Sequence, residues 1–364
     1  MAPIINWRYL DRKLGTMFDA NNIIISPDVL ALIAEIDEFK GAWRALGQLA
    51  PEKLSNLKRV ATVESIGSST RIEGAKLSDK AVEQLLGNLS IRQFTTRDEQ
   101  EVAGYAEIMN TIFESYEHIT IAESYLKQLH RDLLKYSDKD NWHRGQYKKS
   151  PNHVEAFDPT GNSLGVVFET ASPFDTPLQM EDLVRWIMEI LERKALHPLL
   201  VIAVFIVVFL AIHPFQDGNG RLSRVLTTLL LLRAGYQYVP FSSMEAIIEQ
   251  NKEGYYLALR RTQGTLKDDE PDWTPWIIFF LRTLQQQKNS LQVKIEREKL
   301  LIGRLPELSL KILELAKSRG RITISEIIAL TNANRNTVKK HLESLVAATH
   351  LQKFGSGRGV WYSI

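Results

Sequence analysis

His213, Asp217, Arg221 and Arg224 fall within one short stretch, His213-Pro214-Phe215-Gln216-Asp217-Gly218-Asn219-Gly220-Arg221-Leu222-Ser223-Arg224. Each residue type has a chemistry of its own. His213 can take a proton near neutral pH. Asp217, four residues on, is a hard oxygen ligand suited to Mg²⁺ bridging two phosphates. Gly218 and Gly220 allow positive φ and close backbone approach. A Gly-Asn-Gly turn entering a helix lines up free N–H groups, an anion nest that the helix dipole reinforces. Arg221 and Arg224, three apart, share a helical face and can grip phosphate oxygens. Alone, a His-Pro is a helix cap and a Gly-Asn-Gly a turn. Together, in this order, they describe a nucleoside triphosphate site.

These residues need elements to position them. Leu199–Ile212 is an unbroken apolar run of 14 residues that ends directly at His213. A membrane-spanning helix needs about 20, so the run reads as a helix buried on all sides at the centre of a helical domain. Helices are also expected after Ser26-Pro27-Asp28 and after Ser78-Asp79, where Ser and Pro stand at helix starts. Further helices fall within 98–136 (broken near His118-Ile119-Thr120), at Leu178–Glu192, Arg221–Arg233, Ser243–Thr262 and Pro275–Lys299. The turn Asp158-Pro159-Thr160-Gly161-Asn162 between His153–Phe157 and Leu164–Phe168 reads as a β-hairpin. The fold class is therefore mainly α. Leu300–Leu308, with Gly303 and Pro306, reads as a linker into a smaller unit. There, Ile324–Leu330, a polar break and Arg335–Val346 give helix–turn–helix spacing, and Leu351–Phe354 and Val360–Ile364 a second hairpin.

Composition excludes several classes. The 364 residues carry 45 Lys+Arg against 43 Asp+Glu, a net charge of +2, too small for bulk electrostatics to drive nucleic-acid or membrane binding. The basicity is local: residues 305–364 hold nine Lys/Arg and four Asp/Glu, hence +5. With no cysteine there is no disulfide framework, thiolate metal site or thiol nucleophile. The N-terminal MAPIINWRYLDRK has no apolar run of the secretory kind, so a cytoplasmic protein without a membrane segment is expected. The other histidines lack zinc spacing, and neither a Walker A nor a Rossmann glycine fingerprint is present.

The 213–224 stretch resembles the Fic-domain signature His-Pro-Phe-x-Asp-Gly-Asn-Gly-Arg-x-x-Arg at every fixed position, and the resemblance extends over about residues 60–290. It implies a Fic-type helical bundle with a β-hairpin flap. The implied organisation is an N-terminal helical region (1–97) with an inhibitory helix near 65–74 and a catalytic core (98–299); the pattern of 305–364 itself resembles a winged-helix domain. The implied activity moves AMP from ATP to a Ser, Thr or Tyr hydroxyl of a protein and releases pyrophosphate. In that reading His213 is the general base and Asp217 holds Mg²⁺. Gly218, Asn219 and Gly220 cradle phosphates through main-chain N–H groups, while Arg221 and Arg224 neutralise them, Arg224 at the γ-phosphate. Phe215 anchors the loop in the core.

The resemblance adds further residues. Ser69-Thr70-Arg71-Ile72-Glu73-Gly74 is similar to the family's inhibitory motif, with Ser69 and Glu73 on one face and Glu73 pairing with Arg224. The hairpin at 148–170 is similar to the flap, so Val167, Phe168, Glu169 and Thr170 face nucleotide and target. Tyr255, Tyr256 and Gln263 fall where relatives contact adenosine, with Asn251 and Lys252 beside them. Asp217 and Gly218 disfavour the kinase branch of the family, and the loop leaves phosphocholine transfer open. Two other functions compete: a nucleotide-sensing DNA-binding regulator, and an enzyme that removes AMP with Glu73 orienting water. The expected partners are a protein target and, through Arg335, Asn336, Lys339, Lys340, Lys353 and Arg358, either DNA phosphates or a docking protein. A homo-oligomer stays open.

Overall fold

The structure is a computed structural model that describes residues 23–45, 51–87, 94–157, 163–303 and 305–364. Among these, helices dominate, with two small antiparallel sheets of two strands each. The chain divides into two compact units: one up to Trp43 with Ala61–Lys288, the other Arg44–Val60 with Asn289–Ile364.

At the centre of the first unit is α7 (Pro198–Ile212), whose residues from Leu199 to Ile212 are all buried, as an all-round apolar helix requires. Pro198 sits at its first turn, and the His197 ring accepts from the Leu199 N–H (3.3 Å). The helix stops because His213 turns left-handed (φ 52°) and Pro214 cannot continue it. Against α7 pack α6 (Thr176–Arg193) and α8 (Asn219–Arg233). In turn α8 touches α4 (Arg97–Ser115) and α5 (Glu123–Leu133), which contact each other. No described helix is long and apolar enough to cross a membrane.

Earlier in the chain come α1 (Pro27–Ala45), α2 (Pro51–Ile72) and α3 (Asp79–Leu86), the last capped by Ser78. Thr96 and Glu99 form a capping box at the start of α4. The hairpin pairs β1 (His153–Phe157) with β2 (Ser163–Glu169), with register shifts after Val154 and Ala156; its expected turn at 158–162 lies outside the described residues.

Two expectations are corrected. Ser243–Thr262 is not one helix but α9 (Met244–Gln250) and α10 (Lys252–Gln263). Asn251 leaves helical geometry (φ −124°, ψ 44°), as a residue that favours helix ends does, and its amide lies over Gly254, where no side chain intervenes. The expected linker at Leu300–Leu308 is shorter, because α11 (Thr274–Gly303) runs through its first residues and α12 (Glu307–Arg319) claims its last; only Gly303 and Pro306 mark the break.

In the second unit, α12, α13 (Ile324–Thr331) and α14 (Arg335–Ala347) enclose Ile312, Ile322, Ile327, Val338, Leu342 and Leu345. Strands β3 (Gln352–Phe354) and β4 (Trp361–Ser363) form its hairpin, and Ile322 bridges to Tyr362. Asn332 turns left-handed to end α13, and Asn334 caps α14. Arg335, Asn336, Lys339, Lys340 and Lys353 are exposed.

Candidate active site

The stretch between α7 and α8 is braced by its own residues. The Asn219 side chain accepts from the Phe215 N–H (2.9 Å) and donates to the Phe215 carbonyl (2.7 Å), closing the turn from inside. Phe215 is fully buried and stacks on the His130 ring at 3.8 Å. Gly218 caps α8 with φ 79°, which glycine adopts without steric cost. The first N–H groups of a helix have no acceptor within it. One of the expected phosphate donors is committed elsewhere, since the Gly218 N–H donates to Asp217 Oδ1 (2.6 Å). The nest therefore rests on Asn219, Gly220 and the turn that follows.

The left-handed turn at His213 sets its imidazole. Nδ1 faces the Leu210 carbonyl at 3.3 Å, and a carbonyl only accepts, so Nδ1 carries the proton and Nε2 keeps its lone pair. Burial pushes the His213 pKa down to about 4, against a smaller opposing effect of the Leu210 carbonyl. The ring is neutral at physiological pH. Lys148, Glu73 and Asp217 are its charged neighbours.

The two arginines, three apart on α8, send their guanidiniums to different partners. Arg221, fully buried, reaches Asp217 Oδ1 (3.4 Å) and Glu101 Oε2 (3.3 Å). Arg224 turns to α2: its Nε donates to Ser69 Oγ (2.8 Å), and Nη2 to the Ser69 carbonyl (2.9 Å) and Glu73 Oε1 (2.8 Å). Ser69 and Glu73 thus converge on one guanidinium. A Cβ built on Gly220 would run into the Glu73 carboxylate, so Glu73 also covers the start of α8. Burial opposes its charge, but Arg224, by charge and hydrogen bond, holds the Glu73 pKa below the usual carboxylate range. Buried donors remain: Arg224 Nη1 and Arg221 Nε lack hydrogen-bond partners among the described residues. Such atoms suit an incoming anion.

Several contributors were not singled out by sequence. Arg97 Nη2 donates to Asp217 Oδ2 (3.0 Å), and its Nε to Glu101 Oε1 (2.8 Å). His130 accepts from the Gly145 N–H at Nδ1 (2.9 Å) and so donates from Nε2 to the Asp217 carbonyl (2.9 Å). The buried Lys148 ammonium donates to the Ile212 carbonyl, Asn152 Oδ1 and Thr170 Oγ1, while Asn152 donates to the Phe215 carbonyl (2.8 Å); both ends of the hairpin are thereby tied to the loop. Arg71 grips Glu249 of α9 with two bonds (2.6 and 3.0 Å), fixing the helix that carries Ser69. Arg97 with Glu101 is visible in sequence as an opposite-charge pair four apart, but nothing there points to Asp217.

Asp217 is ionised: burial opposes the charge, and Arg221, the Gly218 N–H and Arg97 outweigh it, lowering its pKa. Among the described residues, no group of three or more His, Asp or Glu could hold a metal by itself. Mg²⁺ commonly takes one or two carboxylates plus substrate phosphates, and a partly exposed carboxylate beside an anion nest fits that use.

Of the flap residues, Val167 and Phe168 are described only as backbone of β2, Glu169 ends that strand and is exposed, and Thr170 accepts from Lys148. Tyr255 is buried with its hydroxyl toward Arg224 and Ser223, and Tyr256 packs edge-on against it, partly exposed. Gln263 is not brought to this cluster: it is buried and donates to the Val207 carbonyl of α7 (3.4 Å), a packing contact.

Residues 120–231 match the family model described as Fic/DOC family. The chain is 26% identical over 260 residues to the protein adenylyltransferase Fic of Drosophila grimshawi, covering 71% of this chain and 48% of that protein. The corresponding protein of Drosophila mojavensis is 27% identical over 259 residues, with 69% and 46% covered. The chain thus spans about half the length of these curated relatives. In fold it is similar to a Fic family protein from Desulfovibrio desulfuricans G20, with a TM-score of 0.59 at 20% identity over 94% of this chain and 97% of that one. It is also similar to a Fic domain containing signaling protein from Bacteroides thetaiotaomicron VPI-5482, with a TM-score of 0.55 at 24% identity over 71% of this chain and 97% of that one. Residues 120–231 thus match the Fic/DOC family in sequence, and the helical frame on which the loop is mounted is similar in fold to Fic-family structures.

Proposed function

We propose that the chain is an autoinhibited protein adenylyltransferase. The observation that carries this is the convergence of a neutral His213 with a free Nε2, an ionised Asp217 and the start of α8 in one loop, with Arg224 engaged by Glu73. Nε2 of His213 accepts the proton of a target Ser, Thr or Tyr hydroxyl as its oxygen attacks the α-phosphorus of ATP. The bond to the bridging oxygen breaks, and pyrophosphate leaves. The N–H groups opening α8 and the unpartnered nitrogens of Arg221 and Arg224 hold the polyphosphate in line, so positioning and charge stabilisation carry most of the rate. Asp217 would hold Mg²⁺, which when bound neutralises phosphate charge. Relatives named protein adenylyltransferases support this reading.

With Glu73 on Arg224 and over Gly220, that end of the site already holds an anion, and a γ-phosphate competes with it for the guanidinium. The base of the flap, tied to the loop through Lys148 and Asn152, offers β2 as an edge for target backbone. Residues 305–364 read as a winged helix whose exposed Arg335, Asn336, Lys339 and Lys340 would meet DNA phosphates or a docking protein. The test is mass spectrometry of host proteins incubated with ATP and the Glu73→Gly variant. One AMP on a hydroxyl residue is expected, and none when His213→Ala is added. Modification that survives His213→Ala would overturn the reading.

A further inference from the structure

Four charges close a ring beside the loop. Arg97 meets Asp217 Oδ2 (3.0 Å), Asp217 Oδ1 meets Arg221 (3.4 Å), Arg221 meets Glu101 Oε2 (3.3 Å), and Glu101 Oε1 meets Arg97 (2.8 Å). The ring is uneven. Arg221 and Glu101 have side chains 2% and 7% exposed, whereas Arg97 and Asp217 stand at 53% and 39%. Its inner half is fixed by packing. Its outer edge is a single solvent-facing contact on a long side chain whose Nε stays anchored to Glu101. Asp217 Oδ1 is already engaged by the Gly218 N–H and Arg221, so Oδ2 is the oxygen left for an incoming cation, and Arg97 holds it.

We propose that Arg97 is the internal counter-cation of Asp217 and so determines how strongly the site discriminates cation-bound nucleotide from free nucleotide. The proposal rests on the nucleotide-site reading above. A divalent cation arriving on a triphosphate reaches Oδ2 by displacing the Arg97 guanidinium, which weakens binding of the cation-bound form. A triphosphate without a cation meets an Asp217 whose charge Arg97 offsets, which lessens repulsion. Removing Arg97 therefore acts in opposite directions on the two forms. A guanidinium serving only as a phosphate contact would act in the same direction on both.

The experiment is calorimetric titration of ATP into the Glu73→Gly/His213→Ala chain, in which Glu73 no longer competes and no turnover occurs. It is run in excess Mg²⁺ and in EDTA, with Arg97, Arg97→Gln and Arg97→Lys compared. Arg97→Gln is expected to tighten binding in Mg²⁺ and weaken it in EDTA, each by about fivefold, the size that an exposed ion pair supports. The affinity ratio then widens about twenty-five-fold, and Arg97→Lys stays within about twofold of Arg97. Weakening in both conditions, or no change in the ratio, would overturn the proposal. Absence of ATP binding in every chain and condition would instead overturn the nucleotide site itself, and this proposal with it.

Discussion

Glu73→Gly should convert a site that resists ATP into one that binds it. The contact removed is a charge-assisted hydrogen bond of 2.8 Å to a guanidinium only 3% exposed. Such bonds contribute about 1.5–3 kcal/mol. At about 1.4 kcal/mol per factor of ten, removing this competitor raises ATP affinity about 10- to 150-fold. Two features pull toward the lower figure. Glu73 is itself partly exposed, and Arg224 keeps both bonds to Ser69. The expectation is about 10- to 30-fold on that scale. Glu73→Gln keeps an acceptor and loses the charge, so it should fall between wild type and Gly. Titration calorimetry with ATP and Mg²⁺ measures the affinity, and initial rates of labelling from α-labelled ATP measure the consequence. An affinity and rate for Glu73→Gly equal to wild type would show that the carboxylate does not stand where the nucleotide goes.

Other expectations follow from the same geometry. Arg71 and Glu249 fix the helix bearing Ser69, so Arg71→Ala or Glu249→Gln should each raise labelling to an intermediate level. The charge swap Arg71→Glu with Glu249→Arg should lower it again, and labelling unchanged in both single variants would exclude this role. His213, at a pKa of about 4, is unprotonated across the neutral range, so kcat/KM of Glu73→Gly should stay flat from pH 8 down to about 5; an acid limb near pH 6.5 would contradict the assigned tautomer and burial. Buried His130 is held near pKa 4 by burial. Between about pH 6.5 and pH 4 the unfolded chain takes the proton first, so stability falls as pH is lowered, by about 3 kcal/mol from this group. Denaturant melts of His130→Gln should lack that share of the slope, and identical pH dependence would show that His130 is not buried neutral.

What could be read from sequence was local. The apolar run Leu199–Ile212 can only be a helix covered on every side, and it is. Capped starts such as Ser78 and the turn with its glycines announce themselves within a few residues. Even the pairing of Glu73 with Arg224, 151 residues apart in the chain, came through a resemblance and not through spacing, and Ser69 joining them on the guanidinium was not foreseen. What was missed depends on long separations or on backbone acceptors. Arg97 finds Asp217 across 120 positions and Arg71 finds Glu249 across 178, and no local pattern encodes either. Arg221 and Arg224 share a face by number, yet their guanidiniums diverge because different carboxylates, Asp217 and Glu101 against Glu73, draw them apart. Gln263 reads in sequence as a ligand group two turns past Tyr255, but a buried amide needs a partner, and the Val207 carbonyl supplies it. At Asn251 a helix-ending residue outweighs an apolar pattern that continues past it.

In the proposed reaction this loop directs a protein hydroxyl to the α-phosphorus of ATP. The most direct measurement incubates the Glu73→Gly chain and host proteins with ATP labelled at either the α- or the γ-phosphate. Protein is expected to retain the α label and the γ label to leave as pyrophosphate, with both signals lost in His213→Ala. Protein carrying the γ label, or an α label indifferent to His213, would contradict it.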